Sequence, residues 1–130
     1  MGFLSVLIAA AGGWIIGAIW YMVLAKPWVA AVGIEVDENG RPANQSATPF
    51  IMSAIAMAFV AGMMRHTFAM AEITEAGKGA ISGLGIGLFF ISPWIMINNA
   101  YGDRPFKLTL IDGGYAVIGC GLMGLLLTLF

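Results

Sequence analysis

The sequence predicts an all-α fold, a bundle of four helices that is integral to a membrane. Hydrophobic residues make up 60% of the chain and charged residues only 10%, whereas about 25% of the residues of a soluble domain are charged. The hydrophobic residues gather into four runs of about 20 residues each, the length that an α-helix needs to cross a bilayer. The short alternating segments that indicate a transmembrane β-barrel do not occur in the sequence.

The four runs form a single transmembrane domain, 1–130, with helices expected at about 3–24, 50–71, 79–98 and 111–130. The first run is uncharged and, at about 1.5 Å per residue, is about 33 Å long, enough to cross the hydrocarbon core. It lacks the basic residues of a signal peptide, so we expect it to remain as a helix. In the third run, Ser92-Pro93 predicts a bend.

The connections between the runs predict an orientation. The polar connection 35–48 contains the turn signal Asn39-Gly40, and 27–34 is expected to form a short interfacial helix. The two longer connections carry more Lys and Arg than the opposite membrane face. The positive-inside rule therefore places them in the cytoplasm and both termini outside.

Small residues recur at every fourth position in each run, which places them on one face of each helix. Such faces let helix backbones approach closely in lipid. We expect them to pack the four helices of one chain together, with an interface between two copies of the chain as the alternative. The four faces consist of Ala9, Gly13 and Gly17; Ala54, Ala58 and Gly62; Gly79, Gly83 and Gly87; and Ala116, Cys120 and Gly124.

Arg65 and His66 are the most costly residues of the second run, since a charge at the bilayer centre costs about 2.5–3.5 kcal/mol. Arg65 is near the far end of its helix, where a long side chain can reach the interface. His66 follows Gly62 by one turn, so we expect it to be buried against another helix, with Ser82 or Thr128 as its partner. Because it is the one histidine of the chain, we expect a packing residue here, with no metal and no other cofactor.

Polar and aromatic side chains gather at the membrane face shared by the connections 26–48 and 98–110. Asp112 and Tyr115 are three residues apart and share one face of the fourth helix. The group indicates either an interfacial belt of aromatic and charged side chains or a shallow polar pocket between helix ends. We identify no catalytic residue. The candidate binding residues are Trp20, Tyr21, Arg65, His66, Asn98, Arg104, Asp112 and Tyr115.

Two motifs near opposite ends of the chain carry a family resemblance. The first is GAIWY at 17–21, followed by KPW at 26–28 and Gly33. The second is DRPF at 103–106, followed by IDGGY at 111–115. In this order and spacing they resemble the first-helix and last-helix signatures of the bacterial membrane family called domain of unknown function 1761. The resemblance covers nearly the whole chain and implies a small four-helix membrane protein without an assigned activity. Asp112 stands where that family more often has Asn.

The residues favour a non-enzymatic structural or accessory membrane subunit, surrounded by membrane lipid, that forms a homo-oligomer or joins a larger membrane complex. The sequence contains no nucleophile–base pair and no phosphate-binding loop, and its scattered Lys and Arg residues argue against nucleic-acid binding. A small transporter or channel that acts as an oligomer is the first alternative. A membrane enzyme that uses the polar face around Asp112 is the second.

Overall fold

The computed structural model describes residues 2–38 and 47–130, which form helices joined by short connections. Four stretches are long and apolar enough to cross a membrane: Phe3–Val23, Thr48–Met70, Ala76–Tyr101 and Phe106–Leu129. The predicted all-α fold with four membrane-spanning helices is confirmed, and the chain is an integral membrane protein. The helices are α1 (Phe3–Val23), α2 (Ala25–Val32), α3 (Thr48–Met70), α4 (Ala76–Ile86), α5 (Ser92–Tyr101) and α6 (Phe106–Leu129).

Several helices start before the apolar runs that predict them. The last helix begins at Phe106 rather than at 111, and α4 begins at Ala76 rather than at 79. A helix satisfies its own backbone groups, so it can continue beyond the hydrocarbon into the interface. The short helix expected at 27–34 is α2, which ends at Gly33 with a left-handed φ of 77° that suits a residue without a Cβ. The turn expected at 39–40 lies outside the described residues.

The third span is irregular at the place where the sequence predicts a bend. A π-helical segment, Gly87–Ile91, separates α4 from α5. The Ser92 N–H donates to Gly87 O, five residues back, and the Ser92 hydroxyl donates to the same oxygen at 2.8 Å. Pro93 has no N–H to donate. Such π-bulges occur where a regular helix cannot complete its hydrogen bonds.

Helix α6 occupies the centre of the bundle. It packs against α4 and α5 on one side and against α1 on the other, while α3 packs mainly against α1. The spatial order is therefore α3, α1, α6 and then the α4–α5 span. Because α3 has little contact with the α4–α5 span, an apolar groove of about 370 Å³ lies between them. Its lining residues are Phe59, Val60, Met63, Met64, Thr67, Ile86 and Phe90.

Glycine faces bring α6 into close contact with its neighbours. A Cβ at Gly83 would overlap the carbonyl oxygen of Cys120, and a Cβ at Gly87 would overlap that of Ala116. On the α1 side, a Cβ at Gly17 would lie 2.6 Å from the Tyr115 hydroxyl oxygen. The predicted small-residue faces of the first, third and fourth spans are therefore the packing faces, since their members are buried.

The small-residue face predicted for α3 is wrong at two of its three positions, since only Ala58 packs against the core. Ala54 is exposed, and a Cβ at Gly62 would have nothing within 4 Å. Instead α3 packs through Ala61, Met64 and Phe68, which belong to the hydrophobic core. The reason is that α3 needs one packing face only, and larger side chains fill the space beside α1.

The predicted burial of His66 is also wrong. His66 is exposed near the C-terminal end of α3. Its expected partner Thr128 instead donates to carbonyl oxygens of its own helix, Gly124 O at 3.0 Å and Leu125 O at 2.9 Å. The cause is the rotation of α3, which turns the Gly62 side of the helix away from the core. Arg65, the adjacent residue, is half-buried.

Candidate functional site

A cluster of hydrogen-bonded polar and aromatic side chains lies where the end of α1 meets the first part of α6. The Tyr21 hydroxyl donates to Asp112 Oδ1 at 2.7 Å. The Trp20 indole N–H donates to Ile111 O at 2.9 Å. Two adjacent side chains of α1 therefore hold the Asp112 carboxylate and the backbone beside it.

Helix periodicity and a glycine explain why these side chains meet. Trp20 and Tyr21 are adjacent on α1, so they point in directions about 100° apart. Trp20 lies across Gly114, where an added Cβ would be 2.7 Å from the Trp20 ring. Tyr21 reaches Asp112 beside it. A side chain larger than hydrogen at position 114 would displace the indole from α6.

Tyr115 extends the cluster toward the middle of α1. Its hydroxyl donates to Gly13 O at 2.8 Å and lies 3.4 Å from Met57 Sδ of α3. Its ring packs edge-to-face against Tyr21, with centroids 5.5 Å apart and an interplanar angle of 75°. Tyr21 packs in the same manner against Trp28, at 6.0 Å and 77°. Edge-to-face packing is a favoured arrangement of aromatic rings.

A cavity of about 340 Å³ adjoins this cluster. Tyr21, Asp112 and Tyr115 form its polar end, and the remainder is apolar apart from the thiol of Cys120. Because α3 packs mainly on α1 and not on α5, the cavity is open between these two helices. Its lining residues are Tyr21, Met57, Val60, Ile91, Ile95, Asp112, Tyr115, Ala116, Gly119, Cys120 and Met123.

The structure brings together four of the eight candidate binding residues. Trp20, Tyr21, Asp112 and Tyr115 form the cluster. The other four do not join it. Arg65 and His66 lie near the opposite end of α3, Asn98 is exposed on α5, and Arg104 is exposed in the connection before α6.

Sequence reasoning missed the residues that complete the site. Trp28 was expected only as an interfacial aromatic residue, and Met57, Val60 and Cys120 were not assigned to a site. The KPW motif that contains Trp28 was a usable signal, because a short helix directly after α1 folds back toward α6. The apolar residues of the lining could not be identified from the sequence, because an apolar residue that faces a cavity resembles one that faces lipid.

The possible metal ligands among the described residues do not form a group. Within 2–38 and 47–130, no three His, Cys, Asp or Glu side chains are grouped so that they could hold a metal ion together. Cys120 is a free thiol, 2% exposed. The cluster thus offers one carboxylate, two phenol hydroxyls and the rings that surround them.

A comparison with known protein families identifies the family to which the chain belongs. The family model described as a protein of unknown function (DUF1761) matches residues 4–128. The chain belongs to this family. The DUF1761 match covers both motifs on which the resemblance rests, so the predicted family membership is confirmed. No curated protein and no solved structure matches the chain.

Proposed function

We propose that this DUF1761 protein is a non-enzymatic accessory subunit of the bacterial inner membrane that assembles with a second copy of itself through α3. The observation that carries the proposal is a surface of α3 that is not packed against another helix of the bundle. We call this surface, formed by Ile55, Phe59, Gly62 and His66, the α3 outer face. These residues are spaced four, three and four apart, which places them on one side of a helix.

The α3 outer face combines a small residue with exposed neighbours. Gly62 has open space where a Cβ would stand, and Ile55 and Phe59 are exposed. Lipid tails are as apolar as these side chains, so helix association in a membrane depends on close backbone approach. A glycine at the centre of an unpacked face allows that approach. Two identical faces related by a twofold axis would place Gly62 of each copy near the crossing point.

His66 is the second reason to expect a protein partner at this face. It is a polar side chain within a membrane-spanning helix, and it is exposed. Ionisable residues in such helices generally face other helices or water-filled cavities rather than lipid. Dimerisation through the α3 outer face would give both His66 rings a protein environment. It would also allow a hydrogen bond across the interface.

The test is Gly62→Leu, which we expect to convert a dimer into a monomer. A leucine at this position would hold two helices apart, so we expect self-association to weaken at least about tenfold. The measurement is the mass of the complex in mild detergent over a dilution series, together with subunit counting in lipid nanodiscs. Gly85→Leu is the matched control because an added Cβ there also meets open space, on α4.

Three outcomes separate the proposal from its alternatives. Loss of the dimer in Gly62→Leu with retention in Gly85→Leu supports it. A wild-type protein that remains monomeric at all concentrations contradicts it. A dimer that both variants retain also contradicts it, because the interface must then lie elsewhere.

A small transporter or channel is the second candidate function, favoured by the cavity of about 340 Å³ that reaches Asp112. A transported solute could enter such a cavity from the open side between α3 and α5. A membrane enzyme that uses Asp112 ranks third. The carboxylate accepts a hydrogen bond from the Tyr21 hydroxyl, an arrangement that suits binding as well as it suits catalysis.

A further inference from the structure

We infer that the cavity beside Asp112 binds a compact amphiphile with one positive charge, a protonated amine or a quaternary ammonium group attached to an apolar body. This inference is independent of the dimer proposed above, because the cavity lies on the bundle side of α3. It rests on three properties of the cavity lining: the charge at one end, the aromatic rings around it and the apolar remainder.

Among residues 2–38 and 47–130, no ion pair to the carboxylate of Asp112 is present. The Tyr21 hydroxyl that donates to it is neutral. The carboxylate is half-buried at the edge of an apolar cavity. A carboxylate that is partly removed from water is stabilised by an opposite charge nearby. A cation bound in the cavity would supply that charge.

The aromatic rings beside the carboxylate are suited to an organic cation. Tyr21 is nearly perpendicular to both Trp28 and Tyr115. Because these rings are nearly perpendicular, their faces point in different directions. The face of an aromatic ring attracts a cation, and quaternary ammonium groups are bound by several such faces together. Tyr21 and Tyr115 both line the cavity.

The rest of the cavity is suited to an apolar body of limited size. Met57 and Val60 of α3 stand opposite Ile91, Ile95 and Met123. The volume of about 340 Å³ is at the lower end of the range for small-molecule sites, about 300–1,000 Å³. This favours a short chain or a single ring over a lipid with two acyl chains. A lipid headgroup with an ammonium group has the same chemistry as a free amine, and the experiment below distinguishes the two.

The experiment compares three probes that share a hexyl chain and carry head groups of positive, zero and negative charge. Hexyltrimethylammonium, hexanol and hexyl sulfate are titrated into the full-length protein in nanodiscs, with binding measured by tryptophan fluorescence and by saturation-transfer NMR. We expect the cation to bind at least about tenfold more tightly than either of the other probes. Nanodiscs of phosphatidylcholine and of digalactosyldiacylglycerol are compared, because neither lipid carries a net charge and only the first has an ammonium group. Weaker probe binding in phosphatidylcholine indicates a lipid headgroup as the natural occupant, and equal binding indicates a free amine.

Asp112→Asn tests the carboxylate, since asparagine keeps an acceptor for the Tyr21 hydroxyl but has no charge. We expect it to remove the preference for the cation and to leave hexanol binding unchanged. Asp103→Asn is the matched control: Asp103 is an exposed carboxylate in the connection before α6. Its left-handed φ of 57° is one that asparagine also adopts. We expect this variant to bind all three probes as the wild type does.

Val60→Phe tests the cavity and keeps the inference testable if Asp112→Asn does not fold. The larger ring would fill the apolar end while leaving Asp112 intact, so all three probes should lose binding. Ile51→Phe, at a position 60% exposed on the same helix, should have no effect. Cation binding no tighter than that of hexanol would overturn the inference. An unchanged preference for the cation in Asp112→Asn, or full binding in Val60→Phe, would overturn it as well.

Discussion

Within the part of the chain that the structure describes, three side chains donate hydrogen bonds to backbone carbonyl oxygens of another helix or span. They are Trp20 to Ile111 O, Tyr115 to Gly13 O and Ser92 to Gly113 O, at 2.9, 2.8 and 3.1 Å. A carbonyl oxygen has two lone pairs, so it can accept a side chain in addition to its helical N–H. Two of the three acceptors are glycines, whose carbonyl groups a neighbouring side chain can approach without obstruction.

At the residue scale, Tyr115→Phe should destabilise the bundle by about 0.5–1.5 kcal/mol, the usual range for one interhelical hydrogen bond in a membrane protein. The ring would still fill its place against Gly17, so the loss reports on the hydroxyl alone. Tyr101→Phe is the control because Tyr101 is 92% exposed, and it should leave stability unchanged. The free energy of unfolding in mixed micelles measures both. Equal values for both variants would contradict the role of the Tyr115–Gly13 bond.

At the element scale, the sequence predicted that four helices exist and which faces of three of them pack. It succeeded there because glycine is the residue that permits direct backbone contact, as Gly83 of α4 and Gly87 of the π-helical segment show against α6. It failed for α3 because its packing face contains Met64 and Phe68, which are large. In lipid, the hydrophobic pattern cannot separate a core face from a lipid face, so the rotation of α3 was not predictable.

The packing of α3 can be tested with two phenylalanines on that helix. Phe68 is 1% exposed, whereas Phe50 is 62% exposed. Phe68→Ala should destabilise the protein by about 1–3 kcal/mol, because it leaves a void beside α1. The loss is smaller than in a soluble protein, because a side chain that leaves the core enters lipid rather than water. Phe50→Ala should have almost no effect. Unfolding in mixed micelles provides the measurement, and a larger loss for Phe50→Ala would refute the orientation of α3 described above.

At the scale of the whole molecule, α6 is the helix around which the others are arranged. The sequence predicted that Tyr21, Asp112 and Tyr115 lie at one membrane face, because the order of the spans and their polar ends fix that. It could not predict that the Tyr21 hydroxyl bonds to Asp112, since this depends on the rotation of α1 relative to α6. A shallow polar pocket between helix ends was one of two alternatives that the sequence left open. The apolar part of the cavity depends further on the position of α3, and it was not predicted for the same reason.

The position of α6 at the centre of the bundle is tested most directly by placing a leucine at two glycines of α4 and measuring thermal stability in detergent. At Gly83, a Cβ would overlap the backbone of α6, whereas at Gly85 it would have nothing within 4 Å. We predict that Gly83→Leu loses about 3 kcal/mol or more, or fails to fold, while Gly85→Leu is as stable as the wild type. Equal stability of the two variants, or a greater loss in Gly85→Leu, would contradict the arrangement of helices around α6.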